Sequence, residues 1–116
     1  MSNFEKLEVW QKAIDYADLV YTGTRSFPSD ERFGLTNQMR RAAVSISSNL
    51  AEGSSRHSKT DFARFVEIST GSLFEVVSQA FIAKRQGFLT EEQFGDLYRA
   101  AEERRMQSGL RKALVL

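Results

Sequence analysis

The chain has no cysteine, one histidine and one proline among its 116 residues. Each scarcity closes off a class of chemistry or structure. Without cysteine there is no disulfide, no thiolate metal ligand and no cysteine nucleophile. That suits a reducing compartment, and the chain is read as cytoplasmic. With His57 as the sole histidine, a di-iron bundle is excluded, because it takes a Glu-x-x-His pair on each of two helices. A three-histidine zinc site is excluded on the same ground. Ser54 and Ser55 stand close to His57, but neighbouring loop positions do not build a nucleophile, base and orienting group. The glycines are scattered, so no phosphate-cradling loop is evident. No catalytic residue, metal site or cofactor is expected, and the chain is read as a non-enzyme. The opening residues carry no charged stretch followed by an apolar one, so no secretory leader is expected. The longest uncharged run, Ala42 to Ala51, is too short and too polar to cross a bilayer, and no membrane partner is expected.

What is present is helical. Apolar residues make up 41% and charged residues 27% of the chain, which places it among globular proteins. The length fits a single domain over 1–116 with one core. No run alternates apolar and polar residues as a strand does. Leu7, Trp10, Ile14, Ala17 and Tyr21 recur at three- and four-residue steps, predicting a first helix from about Glu5 to about Arg25. Phe27-Pro28-Ser29-Asp30 breaks it, because proline disfavours helix at the residue before it. Ser29 or Asp30 is the expected cap of a second helix, with Glu31 near its positive end, running to about Glu52. Gly53 suits a left-handed C-cap. Ser58-Lys59-Thr60-Asp61 has the pattern of a capped start. The third helix then carries Phe62, Phe65, Ser69, Ser72, Val76, Ala80 and Ala83 to the vicinity of Gly87. Thr90-Glu91-Glu92-Gln93 is a second capping box. Beyond it Phe94, Leu97, Tyr98 and Ala101 share a face, with Met106, Leu110 and Ala113 on another. Short connections predict an all-α, antiparallel up-down-up-down four-helix bundle. Trp10, Tyr16, Tyr21 and the nine phenylalanines, at helical spacing, read as core.

Residues 38–53, QMRRAAVSISSNLAEG, carry the most specific pattern. Successive helical side chains differ in direction by ~100°. Plotted so, Gln38, Arg41, Ser45, Asn49 and Glu52 fall within a narrow polar arc. Leu35, Met39, Ala42, Ala43, Ile46 and Leu50 form an adjoining apolar arc, while Arg40, Ser47 and Ala51 point toward solvent. A surface helix ordinarily has one apolar stripe and scattered polar residues. A polar seam beside a core stripe serves to hold another helix, to specify an assembly or to receive a ligand. The plain alternative is a solvated face. Ala42, Ala43, Ser45, Ser47 and Ser48 on the second helix and Ser69, Gly71 and Ser72 on the third allow close backbone approach. Gly71 in mid-helix costs about 1 kcal/mol relative to alanine, which close packing there would offset. Glu67 and Glu75 share a face of the third helix, and either is a partner for Arg41 at a helix or subunit interface. If buried, an arginine stripped of its carboxylate costs about 3–5 kcal/mol.

Net charge is +1 but unevenly placed. Residues 1–31 hold three basic and six acidic residues, and residues 32–66 hold six basic and two acidic. Arg40, Arg56, His57, Lys59 and Arg64 gather around the second connection; Arg104, Arg105, Arg111 and Lys112 lie late in the fourth helix. In an antiparallel bundle the ends of helices two and four lie together. These residues are the candidate nucleic-acid-binding set, making weak, non-specific and salt-sensitive phosphate contacts. No RNA-reading motif with paired aromatics is present.

Three segments, FEKLEVWQKA, FPSDERFGLTNQMRRAAVSISSNLAEGSSR and GSLFE, resemble the bacterial four-helix bundle proteins named for the 23S rRNA intervening sequence. That family also includes the accessory variability determinant of diversity-generating retroelements. The resemblance covers nearly the whole chain, and the family's motif positions fall on Gln38, Arg41, Ser45, Asn49, Glu52 and Gly53. Members often have proline where this chain has Ser47, which implies a straighter second helix here. The resemblance implies an antiparallel four-helix bundle assembled as a ring-like homopentamer. It also implies RNA or DNA, and in the retroelement branch a reverse transcriptase, as partners of a basic surface. The expectation is a non-enzymatic, oligomeric, nucleic-acid-associated accessory protein. The competing expectation is a homo-oligomeric protein-interaction scaffold with no nucleic-acid role.

Overall fold

The computed structural model describes residues 3–107, with side chains described through residue 103. Its helices are α1 Glu8–Thr24, α2 Leu35–Ser54, α3 Lys59–Arg85 and α4 Glu91–Gln107. Short 3-10 turns at Phe4–Lys6 and Ser29–Glu31 precede α1 and α2. No strand occurs among the described residues. Each helix packs on the next in sequence and α4 closes against α1, so the four surround one buried apolar cluster. The α2–α3 pairing is the most extensive. Near their connection Gly53 lies against Phe62 and Phe65. Farther along, Ile46 and Ser45 meet Ser69 and Ser72. Positions descend on α2 as they ascend on α3, so these two helices run in opposite directions.

The predicted helix starts at Ser58 and Thr90 form as hydrogen-bonded caps. Ser58 Oγ accepts the Asp61 amide at 3.1 Å. At α4 the bonding is reciprocal: the Gln93 amide donates to Thr90 Oγ1 at 3.1 Å, and the Thr90 amide donates to Gln93 Oε1 at 2.9 Å. The end of α3 is a Schellman turn around Gly87, the one described residue with a left-handed backbone, φ 78°. The Phe88 amide donates to the Ala83 carbonyl at 2.8 Å and the Gly87 amide to that of Lys84 at 3.0 Å. This turn brings Phe88 to Phe27, ring centroids 5.5 Å apart, and buries Leu89, which closes that end of the core.

Four expectations are corrected. First, Ser29 and Asp30 belong to the 3-10 turn and do not cap α2. The helix starts at Leu35, and the Glu31 carboxylate accepts the Leu35 amide at 3.0 Å. The acidic side chain does what a shorter capping residue would have done from one position nearer. Second, Gly53 is not a left-handed cap. It is buried inside α2, where an added Cβ would fall 2.7 Å from Phe65 Cβ. Third, α1 turns Ala13, Tyr16, Val20 and Thr24 into the core, leaving Ile14 and Tyr21 exposed and Leu7, Trp10 and Ala17 half-buried. Both sets have helical spacing; polar Thr24 disguised the true inner face. Fourth, Ser47 is buried and its hydroxyl donates to the Val44 carbonyl at 3.1 Å. α2 is thus covered on two sides, by α3 and α1.

By length and composition α3, 27 residues, qualifies as a membrane span. Glu67 and Glu75 interrupt its uncharged runs. In the bundle it buries Val66, Leu73, Val76, Ala80 and Ala83 with its neighbours.

Candidate functional site

The polar seam of α2 divides into an inner and an outer part. Ser45 and Asn49, half-buried, enter a network that ties α2 to α3. Asn49 Nδ2 donates to the Ser45 carbonyl at 2.8 Å and to Ser45 Oγ at 3.0 Å. The Ser72 hydroxyl donates to Ser45 Oγ at 2.9 Å. Beside it, fully buried Ser69 donates to the Ile46 carbonyl at 3.0 Å. This half of the seam holds a neighbouring helix of the same chain.

The outer part faces solvent in a single chain. Gln38 and Arg41 are exposed, as are Glu67 and Glu75 on α3. Glu52 is exposed and pairs along its own helix with Arg56 at 3.0 Å. Arg41 makes no ion pair among the described residues. It lines, with Gln38, Asn37, Ser45, Ser72, Glu75 and Gln79, a hollow of about 420 Å³ between α2 and α3. Arg41 and Glu75 therefore share one hollow without closing into a salt bridge. Glu67 does not line it.

A second hollow, of about 490 Å³, lies on the other side of Arg41, lined by Tyr21 of α1 and by Asn37, Arg40, Arg41, Val44 and Ser45. Arg40 is half-buried there and held twice by α1. Its Nε–H donates to Thr24 Oγ1 at 2.9 Å, and its guanidinium lies over the Tyr21 ring, 4.6 Å from the centroid. The Thr24 hydroxyl in turn donates to the Val20 carbonyl at 2.9 Å.

The α2–α3 turn gathers Arg56, His57, Lys59 and Arg64, all exposed. Arg56 and Arg64 both stack on the Phe65 ring, at 5.0 and 5.3 Å from its centroid. Glu52 and Asp61 stand among these cations, so the net positive charge of the turn is modest. Arg40 is set apart from it, about 21 Å up α2 from Ser54 at the helix end, at 1.5 Å per residue. Arg104 and Arg105 fall in the last turns of α4, their side chains outside the described set; Arg111 and Lys112 lie outside the described residues altogether. Leu73 and Phe74 share a small apolar hollow with Ala101 and Glu102, which sets this end of α4 beside the middle of α3.

Sequence reasoning missed the exposed aromatics. Phe33, Phe74, Phe81, Tyr21 and Tyr98 do not lie in the core, and Phe33 is 84% exposed. Phe33 sits in the turn before α2, where helical spacing gives no information; Arg32 lies over its ring at 5.2 Å.

The sequence profile of the 23S rRNA-intervening sequence protein family matches residues 5–108. Comparison with curated proteins gave no match. Among solved structures, a protein of unknown function from the S23 ribosomal protein family of Bacteroides thetaiotaomicron is similar, with a TM-score of 0.76 and 20% identity, over 87% of this chain and 94% of that one. At that identity the likeness speaks for the fold alone.

Proposed function

Since the chain belongs to the 23S rRNA-intervening sequence protein family, we propose that it is a non-enzymatic, homo-oligomeric accessory protein of the cytoplasm. In this reading it touches RNA or DNA through weak phosphate contacts at the α2–α3 turn. The observation that carries it is the pair of guanidiniums, Arg56 and Arg64, spread over one Phe65 ring beside exposed His57 and Lys59. A guanidinium stacked on a ring still has in-plane N–H groups that suit phosphate oxygens; one terminal nitrogen of Arg56 is taken by Glu52, and Arg64 has no ion pair among the described residues. One such turn binds weakly. A ring of five copies repeats it and raises the effective concentration of each further contact. A nucleoprotein enzyme such as a reverse transcriptase is the kind of partner to which such a ring would present nucleic acid.

The test is fluorescence anisotropy with labelled single-stranded RNA across a salt series, with light scattering for the assembly size. Binding is expected at low salt and lost steeply as salt rises. The combined Arg56→Gln, Lys59→Gln and Arg64→Gln variant should flatten the log–log salt slope by about 2, at roughly 0.7 per single-strand phosphate. No binding at low salt overturns the reading.

The second reading, a protein-interaction scaffold, draws on the apolar residues left exposed on α3: Ile68, Phe74, Phe81 and Ile82. Apolar contacts hold at raised salt where phosphate contacts fade, which separates the two.

A further inference from the structure

We propose that the hollow between α1 and α2 is a binding site for a phosphate group, gripped by Arg40 and Arg41. It lies away from the α2–α3 turn and goes beyond the function proposed above. The first argument is preorganisation. Thr24 is 2% exposed and spends its own hydrogen on the Val20 carbonyl, so toward Arg40 its oxygen acts as acceptor. The Nε–H of Arg40 is fixed on that oxygen at 2.9 Å and the guanidinium plane is fixed over Tyr21. The two terminal nitrogens are then held in place with their donors unspent, and little side-chain freedom remains to be lost on binding.

The second argument is charge. Arg56 and Arg99 each pair with a carboxylate, Glu52 and Asp96, while exposed Arg25, Arg32, Arg64 and Arg85 have no ion pair among the described residues, so what sets this hollow apart is its lining and not the missing pair alone. Arg40 and Arg41 pair with none among the described residues, and no Asp or Glu lines this hollow. Two adjacent unpaired guanidiniums in a concavity walled by Tyr21 and Val44 concentrate positive potential.

The third argument is donor count. Ser45 Oγ already accepts from Asn49 and Ser72, which leaves its own O–H to donate, and Asn37 adds an amide. Two guanidiniums, a hydroxyl and an amide offer more donors than the two oxygens of a carboxylate can use. They match a phosphate, with about −1.5 to −2 charge and three free oxygens when carried as a monoester. A phosphomonoester and a nucleic-acid phosphodiester share this chemistry.

The test is a 1H–15N NMR titration of the protein with inorganic phosphate at constant ionic strength, then with a nucleoside monophosphate and a short single-stranded oligonucleotide. Saturable shifts are expected at the amides of Tyr21, Asn37, Arg40, Arg41 and Ser45. Arg40→Gln should weaken phosphate roughly tenfold, as loss of a charge-assisted pair does. Thr24→Val keeps both arginines and should weaken it severalfold by freeing Arg40; Tyr21→Leu, at the surface, serves the same end should Thr24→Val fold poorly. Arg99→Gln should change nothing. Oligonucleotide displacing phosphate from the hollow assigns the diester as ligand; phosphate and nucleotide binding there without oligonucleotide assigns the monoester. Absence of saturable shifts in the hollow, or equal phosphate affinity for wild type and Arg40→Gln, overturns the proposal. Phosphate, nucleotide and oligonucleotide shifts all confined to Arg56–Arg64 would end it while sparing the nucleic-acid reading.

Discussion

The side of α3 that faces α2 and the side that faces away are built from opposite choices. Toward α2 the helix presents Ser69, Ser72, Val76, Ala80 and Ala83, all buried, and Gly53 of α2 admits Phe65 at close range. Away from α2, Ile68, Phe74, Phe81 and Ile82 keep about half their surface exposed. Among them stands Gly71, with nothing within 4 Å of the place a Cβ would occupy. Small residues stand where α3 meets α2; of the large apolar ones Phe81 packs on Phe94 and Tyr98 of α4 and Phe74 lines a hollow beside Tyr98 and Ala101, yet each keeps about half its surface open. Burying a large apolar side chain is worth about 1.5–3 kcal/mol. Large apolar side chains left this exposed are the ones whose burial a partner would reward. The comparison separates what holds one bundle together from what is available to join bundles.

The strongest way to break the closed side is Gly53→Ala. Alanine is intrinsically favoured over glycine by about 1 kcal/mol in a helix interior, and by less in the last turn of α2, where Gly53 lies. Here the new methyl would meet Phe65 Cβ at 2.7 Å, an atom fixed to the backbone of α3 that cannot swing aside. Overpacking should win, with a net loss of about 1–3 kcal/mol seen as a lower urea midpoint at unchanged m. A variant as stable as the wild type would show that the close approach at Gly53 is not tight. Ser69→Ala is the next largest. It removes a fully buried hydroxyl bonded to the Ile46 carbonyl and should cost about 1 kcal/mol by the same measurement.

Much of the closed side was legible in the sequence. The apolar arc of α2 and the buried positions Ser69, Ser72, Val76, Ala80 and Ala83 follow from periodicity alone, because one contact face imposes one period. The caps at Ser58 and Thr90 are local, requiring only residues three apart. What periodicity does not carry is how close two helices come. Gly53 followed a long helix and preceded a polar loop, so it looked like a terminus; only the placement of Phe65 on another helix shows it to be a contact. The cap was misplaced onto Ser29 or Asp30 for a related reason: these lie in a 3-10 turn, and only the turn at residues 32–34 after it sets the Glu31 carboxylate on the Leu35 amide, near the positive helix end where Glu31 was expected. The α1–α2 hollow was least visible. Arg40 was grouped with Arg56 by neighbourhood in sequence, whereas its partners, Thr24 and Tyr21, lie on another helix.

Gly71→Ala is the smallest expected effect and the most informative about the open side. In a single chain the added methyl meets no atom within 4 Å, so it should stabilise α3 by up to about 1 kcal/mol through helix propensity. In a homo-oligomer that packs this face against a second copy, the same methyl enters an intersubunit contact. The expected outcome is therefore concentration-dependent. Dilute protein, dissociated to single chains, should gain stability. Concentrated protein should gain less or lose, and the assembly mass by light scattering should fall. The linkage between folding and association makes the two measurements report one contact from both sides. An equal gain at every concentration, with the mass unchanged, would mean that Ile68, Phe74 and Ile82 stay uncovered by further copies of the chain, and that the open side of α3 waits for a different protein.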